Sequence, residues 1–312
     1  MTRRVLAVLL ASALIAGCGG SEPKGRRAAA AKTPAATPAL TGAPGKLVGI
    51  GGGRSLFLHC VGSGSPTVVL EAGFGGGSAD WSEVQPQLGR ATRTCAYDRA
   101  GLGSSVALPG VHDARDELAD LQRLLGTARV GPPYVLVGHS YGGLLARLFA
   151  QAHDKETAGV VLVDSMGRDQ TRRTLPVWPK SQARALRRTV TRPVREGVDV
   201  AAGEALAAGV RSLGDKPLAV VTAGSETFGG VPPRLRRALD RLWTTMQDEL
   251  ATLSRDRVHV VALRSDHFVQ GFDGQPGVVI AAVQAVVRAA RDHTALEPCT
   301  RLFAGAGIRC RG

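Results

Sequence analysis

The sequence predicts an α/β fold in which a mostly parallel central sheet is flanked by helices and carries an insertion between two of its strands. Two observations predict it. Over about 250 residues, a length that suits one domain with a sizeable core, apolar strand-like runs alternate with helix-like stretches. At one of these junctions, Gly138-His139-Ser140-Tyr141-Gly142 sets a serine between an apolar run at 134–137 and a helix-like stretch at 144–151.

The elements follow in chain order. Residues 1–17 read as a signal peptide: Met1-Thr2-Arg3-Arg4 is positive, and the apolar run at 5–16 is too short, at about 1.5 Å per residue, to span a ~30 Å hydrocarbon core. The leader closes on Ile15-Ala16-Gly17-Cys18, which resembles a bacterial lipobox, whose cysteine thiol takes a diacylglyceryl group. Cys18 is thus the expected lipidation site and the membrane partner, and the extracytoplasmic face of the cell membrane is the expected location. Residues 18–46 are rich in Ala, Pro, Gly and Thr, with almost no large apolar side chain, and read as an extended tether.

The folded domain is expected at 47–296. Strands are expected at 56–59, 67–70, 93–97, 134–137, 160–163, 218–222 and 258–263, each an apolar run bounded by turn residues. Residues 165 to about 216 separate two of them as an insertion rich in arginine (Arg168, Arg172, Arg173, Arg184, Arg187, Arg188, Arg192, Arg195). These arginines suit either a solvated helix face or attraction to anions. Leu235, Leu239, Leu242, Met246, Leu250 and Leu253 have helical spacing and are expected to pack on the sheet, with Trp243 or Met246 as lesser candidates for a pocket. A last amphipathic helix is expected at 276–291, and residues 297–312 read as a tail.

The chemistry centres on Ser140. Glycines on both sides of a serine at a strand-to-helix turn permit a strained backbone in which the hydroxyl is pushed outward, the geometry of a nucleophile elbow. A serine hydroxyl needs a base, an acid that orients the base, and oxyanion donors. His267, in Arg264-Ser265-Asp266-His267-Phe268, follows the last predicted strand and is the expected base. His59, His112, His139, His153, His259 and His293 lie in strands, helices, the tail or ahead of the serine. Two carboxylates stand where strands run out, Asp164 after 160–163 and Glu226 after 218–222. The Gly-rich loop Ala72-Gly73-Phe74-Gly75-Gly76-Gly77 follows a strand, and the amides of Phe74 and Tyr141 are the expected oxyanion hole. No Lys-Ser/Thr pair closes that loop, which argues against a phosphate-binding loop.

Taken together, Leu70-Glu71-Ala72-Gly73-Phe74-Gly75, Tyr97-Asp98-Arg99-Ala100-Gly101-Leu102-Gly103-Ser104 and Gly138-His139-Ser140-Tyr141-Gly142-Gly143 resemble the α/β-hydrolase family in order and spacing, from about 47 to 291. One departure is Ala72, which stands where many relatives have a histidine; it leaves open what fixes the loop, though not the amide donors. Within the resemblance, the insertion at 165 to about 216 stands where the family carries its helical cap over the active site, and Asp98 belongs to a structural turn. The usual acid position favours Glu226, but some relatives use the place of Asp164, and a short carboxylate there is the first choice, with Glu226 the alternative. The family's sheet order makes the strands of Cys60 and Cys95 neighbours, so the expected disulfides are Cys60 to Cys95 and, closing the tail, Cys299 to Cys310.

The resemblance implies a membrane-anchored serine hydrolase that cleaves a carboxylic ester or related small-molecule acyl substrate through an acyl-enzyme. The same fold also serves amidases, lipases, lyases and haloperoxidases, and a lipid-tethered binding or signalling protein is a further alternative. No cofactor is implied, and no Cys/His spacing suggests a metal. The net charge of +13 comes without any nucleic-acid motif, so no nucleic-acid partner is expected. The oligomeric state is left open.

Overall fold

The structure is a computed structural model and describes residues 45–191, 197–224, 231–303, 305 and 307–311. The leader, with Cys18, and all but the end of the tether lie outside these residues. Among the described residues, the strands are β1 (Lys46–Gly51), β2 (Arg54–Val61), β3 (Thr67–Glu71), β4 (Thr94–Tyr97), β5 (Tyr134–His139), β6 (Thr157–Val163), β7 (Leu218–Ala223), β8 (Arg257–Ala262) and β9 (Ile308–Arg311). They form one sheet in the order β1-β2-β4-β3-β5-β6-β7-β8-β9. The run from β4 to β8 is parallel, and antiparallel pairs close both ends.

A parallel sheet covered on both faces needs strands that are apolar on both faces, which is why these runs lack a polar alternation. β3, β5 and β7 are buried at every position. Val135 and Val137 of β5, with Val161 and Val163 of β6, meet α8 (Pro276–Asp292) through Val279, Val283, Val286 and Val287. Each such valine contributes about 1.5–3 kcal/mol on full burial. Leu136 of β5 points the other way, with Leu121, Leu124 and Leu125 of α2 (Ala114–Thr127) and Phe149 of α3 (Tyr141–Ala152). A short helix, α1 (Gln85–Leu88), adds Leu88 to the α8 side.

The cap contains α4 (Gln170–Thr174), α5 (Lys180–Thr191) and α6 (Val200–Ala207). Part of its arginine is paired: Arg172 with Asp169 at 2.9 Å and Arg173 with both oxygens of Glu249. After the cap comes α7 (Pro233–Ala251), which the leucine spacing assigns to the sheet. Only its last turn does this. Leu239, Trp243 and Met246 instead cluster with Trp178 of the cap, while Leu250 joins Val160, Leu162 and Val220 of the sheet.

Residues 297–312, expected as a tail, supply α9 (Cys299–Leu302) and the edge strand β9, registered on β8 as Val260 opposite Cys310. A four-residue strand has too weak a pattern to stand out in sequence. The Cys299–Cys310 disulfide ties it to α9, and its pairing covers the otherwise open edge of β8. The second disulfide, Cys60–Cys95, joins residues directly opposite on β2 and β4. None of the described helices is long and apolar enough to cross a membrane.

Candidate active site

Because β3, β5, β6, β7 and β8 are parallel, the segments leaving their carboxyl ends converge at one edge, where open α/β sheets place their sites. Ser140 sits at the turn from β5 into α3 with φ +53° and ψ −119°. Such a conformation costs a non-glycine residue about 1–3 kcal/mol and persists only where its surroundings fix it. Ser140 N–H donates to Val163 O at 3.1 Å, and Ser140 O accepts from Met166 and Gly143 N–H at 2.9 and 3.0 Å. Glycine is required on either side: a Cβ on Gly138 would lie 2.3 Å from Gly142 O, and one on Gly142 2.3 Å from Glu71 O.

His267, on the loop after β8, places Nε2 3.0 Å from Ser140 Oγ and Nδ1 2.6 Å from Asp164 Oδ2. A carboxylate accepts only, so Nδ1 carries the proton and Nε2 is free to accept from the serine hydroxyl. Asp164 ends β6 at φ +40° and is fully buried. Its other oxygen, Oδ1, accepts from Ala223 N–H at 2.9 Å and from Trp243 Nε1–H at 2.8 Å. A buried carboxylate is tolerable because three donors meet it.

The neighbour of the serine, His139, is also buried. Its Nε2–H donates to His267 O at 2.8 Å, and the two rings lie 4.7 Å apart. Burial, then the adjacent His267, holds its pKa well below the usual imidazole range, so it stays neutral and places no second charge beside an imidazolium at His267.

The Gly-rich loop after β3 meets this pair closely. A Cβ on Gly73 would lie 2.8 Å from His139 Nδ1 and 3.3 Å from Ser140 Cβ. Phe74 packs edge-on against Tyr141 with ring centroids 6.1 Å apart. The structure therefore brings together Ser140, His267 and Asp164 and sets Phe74 and Tyr141 beside them. Glu226 lies outside the described residues. Asp98 stays apart, accepting from Ser78 N–H and Oγ–H at 2.8 Å each and from Ser104 N–H at 3.1 Å, as a turn residue would. His259 faces Thr222 and Asp248, and His112 pairs through its backbone with Gly197. Trp243, legible in sequence only as a lesser pocket candidate, reaches the carboxylate; a tryptophan at helical spacing otherwise reads as packing. Among the described residues no cluster of His, Cys, Asp or Glu is arranged to hold a metal ion.

Comparison with known proteins agrees with this geometry. The family described as "alpha/beta hydrolase fold" matches residues 66–202, which include the glycine loop, the elbow and Asp164. Uncharacterized protein YqjL of Bacillus subtilis is 28% identical over 76% of this chain and 89% of its own length. A pimeloyl-acyl-carrier-protein methyl ester esterase of Chromobacterium violaceum is 38% identical over 42% of this chain and 48% of the relative. Among solved structures, a thermophilic esterase from Thermogutta terrifontis superposes with a TM-score of 0.55 at 20% identity, covering 80% of this chain and 99% of that one. The matching family and the solved structures together give the chain the α/β-hydrolase fold, a mostly parallel central sheet flanked by helices.

Proposed function

We propose that the protein is a serine hydrolase that cleaves carboxylic esters through an acyl-enzyme. The observation that carries this is the continuous hydrogen-bonded line from Ser140 Oγ through His267 to Asp164. His267 Nε2 takes the hydroxyl proton as Oγ attacks the ester carbonyl carbon. The negative charge that develops on the carbonyl oxygen is met by the amides of Phe74 and Tyr141, each such donor worth about 3 kcal/mol in the transition state. Phe74 N–H has no hydrogen-bond partner among the described residues, which supports its role as an oxyanion donor. Collapse expels the alcohol, which His267 protonates. A water then gives its proton to His267, attacks the acyl carbon and releases the acid, restoring Ser140. Asp164 holds the productive imidazole tautomer and stabilises the imidazolium.

An ester is favoured over an amide by two of the similar proteins, the Chromobacterium violaceum methyl ester esterase and the Thermogutta terrifontis esterase. The half-buried rings of Phe74 and Phe268 offer apolar surface near Ser140 for an acyl chain. Purified protein is assayed with short- and long-chain acyl esters. Turnover that disappears in Ser140→Ala is the expected result, and binding without turnover of any ester would refute it.

We further propose that Cys18 carries a lipid anchor and holds this domain outside the cytoplasmic membrane on the tether at 18–46. Support comes from the lipobox-like Ile15-Ala16-Gly17-Cys18 after a short leader. Cys18→Ala is expected to leave the membrane fraction or to accumulate unprocessed; an unaltered species that still partitions with membranes would exclude the anchor.

A further inference from the structure

Arg99 belongs to the turn after β4, a segment the sequence assigns to structure alone, yet its side chain is only 3% exposed and lies behind the glycine loop. One guanidinium nitrogen, Nη1, donates to Ala72 O at 2.6 Å and to Glu71 Oε1 at 3.0 Å. The other, Nη2, donates to Gly73 O at 2.8 Å. Nε lies 3.2 Å from Glu117 Oε1 on α2, and the guanidinium carbon sits 5.5 Å from the centre of the Tyr141 ring. The hydroxyl of Tyr141 donates to the second oxygen of Glu117, and Tyr97 donates to the second oxygen of Glu71. Burial and the Glu71 charge push the Tyr97 phenol well above its usual range, so it remains a donor.

This buried network reaches both segments that carry the proposed oxyanion donors, directly at Ala72 O, Gly73 O and the Tyr141 ring and through Glu117 at the Tyr141 hydroxyl. Gly73 O belongs to the peptide unit whose N–H is that of Phe74, so a bond that fixes this carbonyl also fixes the direction of the opposite N–H, because the peptide is planar. Gly73 O accepts from Gly76 N–H as well, at 3.0 Å, which makes the loop a closed turn held from behind by Arg99. On the other side, Tyr141 is the residue whose own amide is the second donor. Its ring is held under the guanidinium and its hydroxyl is bound to the same Glu117 that faces Arg99. One side chain thus references both donors to each other.

We propose that Arg99, with Glu117 and Tyr141, is a positioning unit for the oxyanion hole: it sets the spacing of the Phe74 and Tyr141 amides and thereby the stabilisation of the tetrahedral anion. The proposal rests on the serine hydrolase reading of the site. Only arginine offers a rigid planar fork that serves two carbonyls and two carboxylates at once; a lysine supplies the charge from a single point. Misplacing an oxyanion donor lowers transition-state binding while leaving ground-state binding alone, so the expected signature is a fall in kcat with KM nearly unchanged.

The test compares wild type, Arg99→Lys and Tyr141→Phe by three measurements: the rate of labelling by a fluorophosphonate, the inhibition constant of an alkyl boronic acid, and kcat and KM on the best ester found. Arg99→Lys is expected to lose about 10–100-fold in kcat and in labelling rate and to bind the boronic acid weaker by a similar factor, with KM within about threefold. Tyr141→Phe, which keeps the ring and removes only the hydroxyl, is expected to lose about 3–10-fold in the same three readouts, and it decides the matter if Arg99→Lys does not fold. Variants that lose thermal stability but keep wild-type labelling and boronic acid binding would show the network to be structural and overturn the proposal. A wild-type protein that resists the fluorophosphonate altogether would instead sink the serine reading, and this inference with it.

Discussion

Trp243→Phe removes one donor from the buried carboxylate and leaves the rest of the site in place. Asp164 is 0% exposed, so no water replaces the indole N–H, and Oδ1 is left with Ala223 N–H alone. A hydrogen bond to an ionised group contributes about 1.5–3 kcal/mol. Exchanging the indole for a phenyl beneath the cap also opens a small void beside Trp178, Leu239 and Met246, for about 1 kcal/mol more. The expected loss of stability is therefore about 2–4 kcal/mol, a fall in Tm of about 5–15 °C for a domain of this size. For activity, the weakened hold on Asp164 passes to the imidazole through Oδ2. If about half of the hydrogen-bond energy is expressed in orienting His267, kcat/KM falls about tenfold, since each decade corresponds to about 1.4 kcal/mol. Thermal melting and ester hydrolysis measure the two effects separately. Met246→Leu, a neighbour in the same cluster that makes no hydrogen bond to Asp164 or His267, serves as the packing control and is expected to lose stability alone. A Trp243→Phe enzyme with kcat/KM within twofold of wild type would refute the view that the indole positions the acid.

The remaining predictions concern the acid, a buried histidine and a disulfide. Asp164→Asn is expected to lose about 10⁴ in kcat by imposing the wrong imidazole tautomer, while Glu226→Gln stays within a few-fold; the opposite pattern would move the acid to Glu226. His259 donates through Nδ1 to Asp248 and accepts at Nε2 from Thr222 O–H; burial lowers its pKa to about 4, against the attraction of an Asp248 already engaged by Arg311. The unfolded chain therefore binds that proton first, so the contribution of neutral His259 is complete above about pH 6.5 and is lost as the pH falls toward 4, for about 3 kcal/mol in all. Denaturant titrations across that window should give a shallower acid limb for His259→Asn than for wild type, and equal slopes would disprove the shift. The double variant Cys60→Ala/Cys95→Ala opens a link with a sequence separation of 35 and is expected to lose about 4 kcal/mol of stability in the loop-entropy picture. An unchanged Tm would contradict that figure.

Local patterns made much of the site legible in sequence, and long-range contacts made the rest obscure. The elbow is visible because its glycines, strand and helix lie within about a dozen residues, and the steric reason for Gly138 and Gly142 is confined to that turn and the β3 end beside it. His267 stands out as the histidine on the loop after the last long apolar run. The choice between Asp164 and Glu226 stayed open in sequence because both follow strands that run parallel side by side, and the contact of Asp164 with His267 joins residues 103 positions apart. Trp243 was legible only as a lesser candidate for a pocket, and Arg99 only as part of a turn, for the same reason. Each lies within a segment whose local pattern is fully explained otherwise, a leucine-spaced helix in one case and a Gly-rich turn in the other. β9 was missed because four residues beside an Ala- and Gly-rich stretch carry no periodicity until β8 and a disulfide supply the partner.

The most direct measurement is mass mapping of the purified protein after reaction with a fluorophosphonate. A single covalent adduct on the peptide containing Ser140, abolished in Ser140→Ala and strongly slowed in His267→Ala, is the expected result. An adduct at another residue, or an unmodified protein under conditions that label a known serine esterase, would contradict the assignment of Ser140 as a nucleophile.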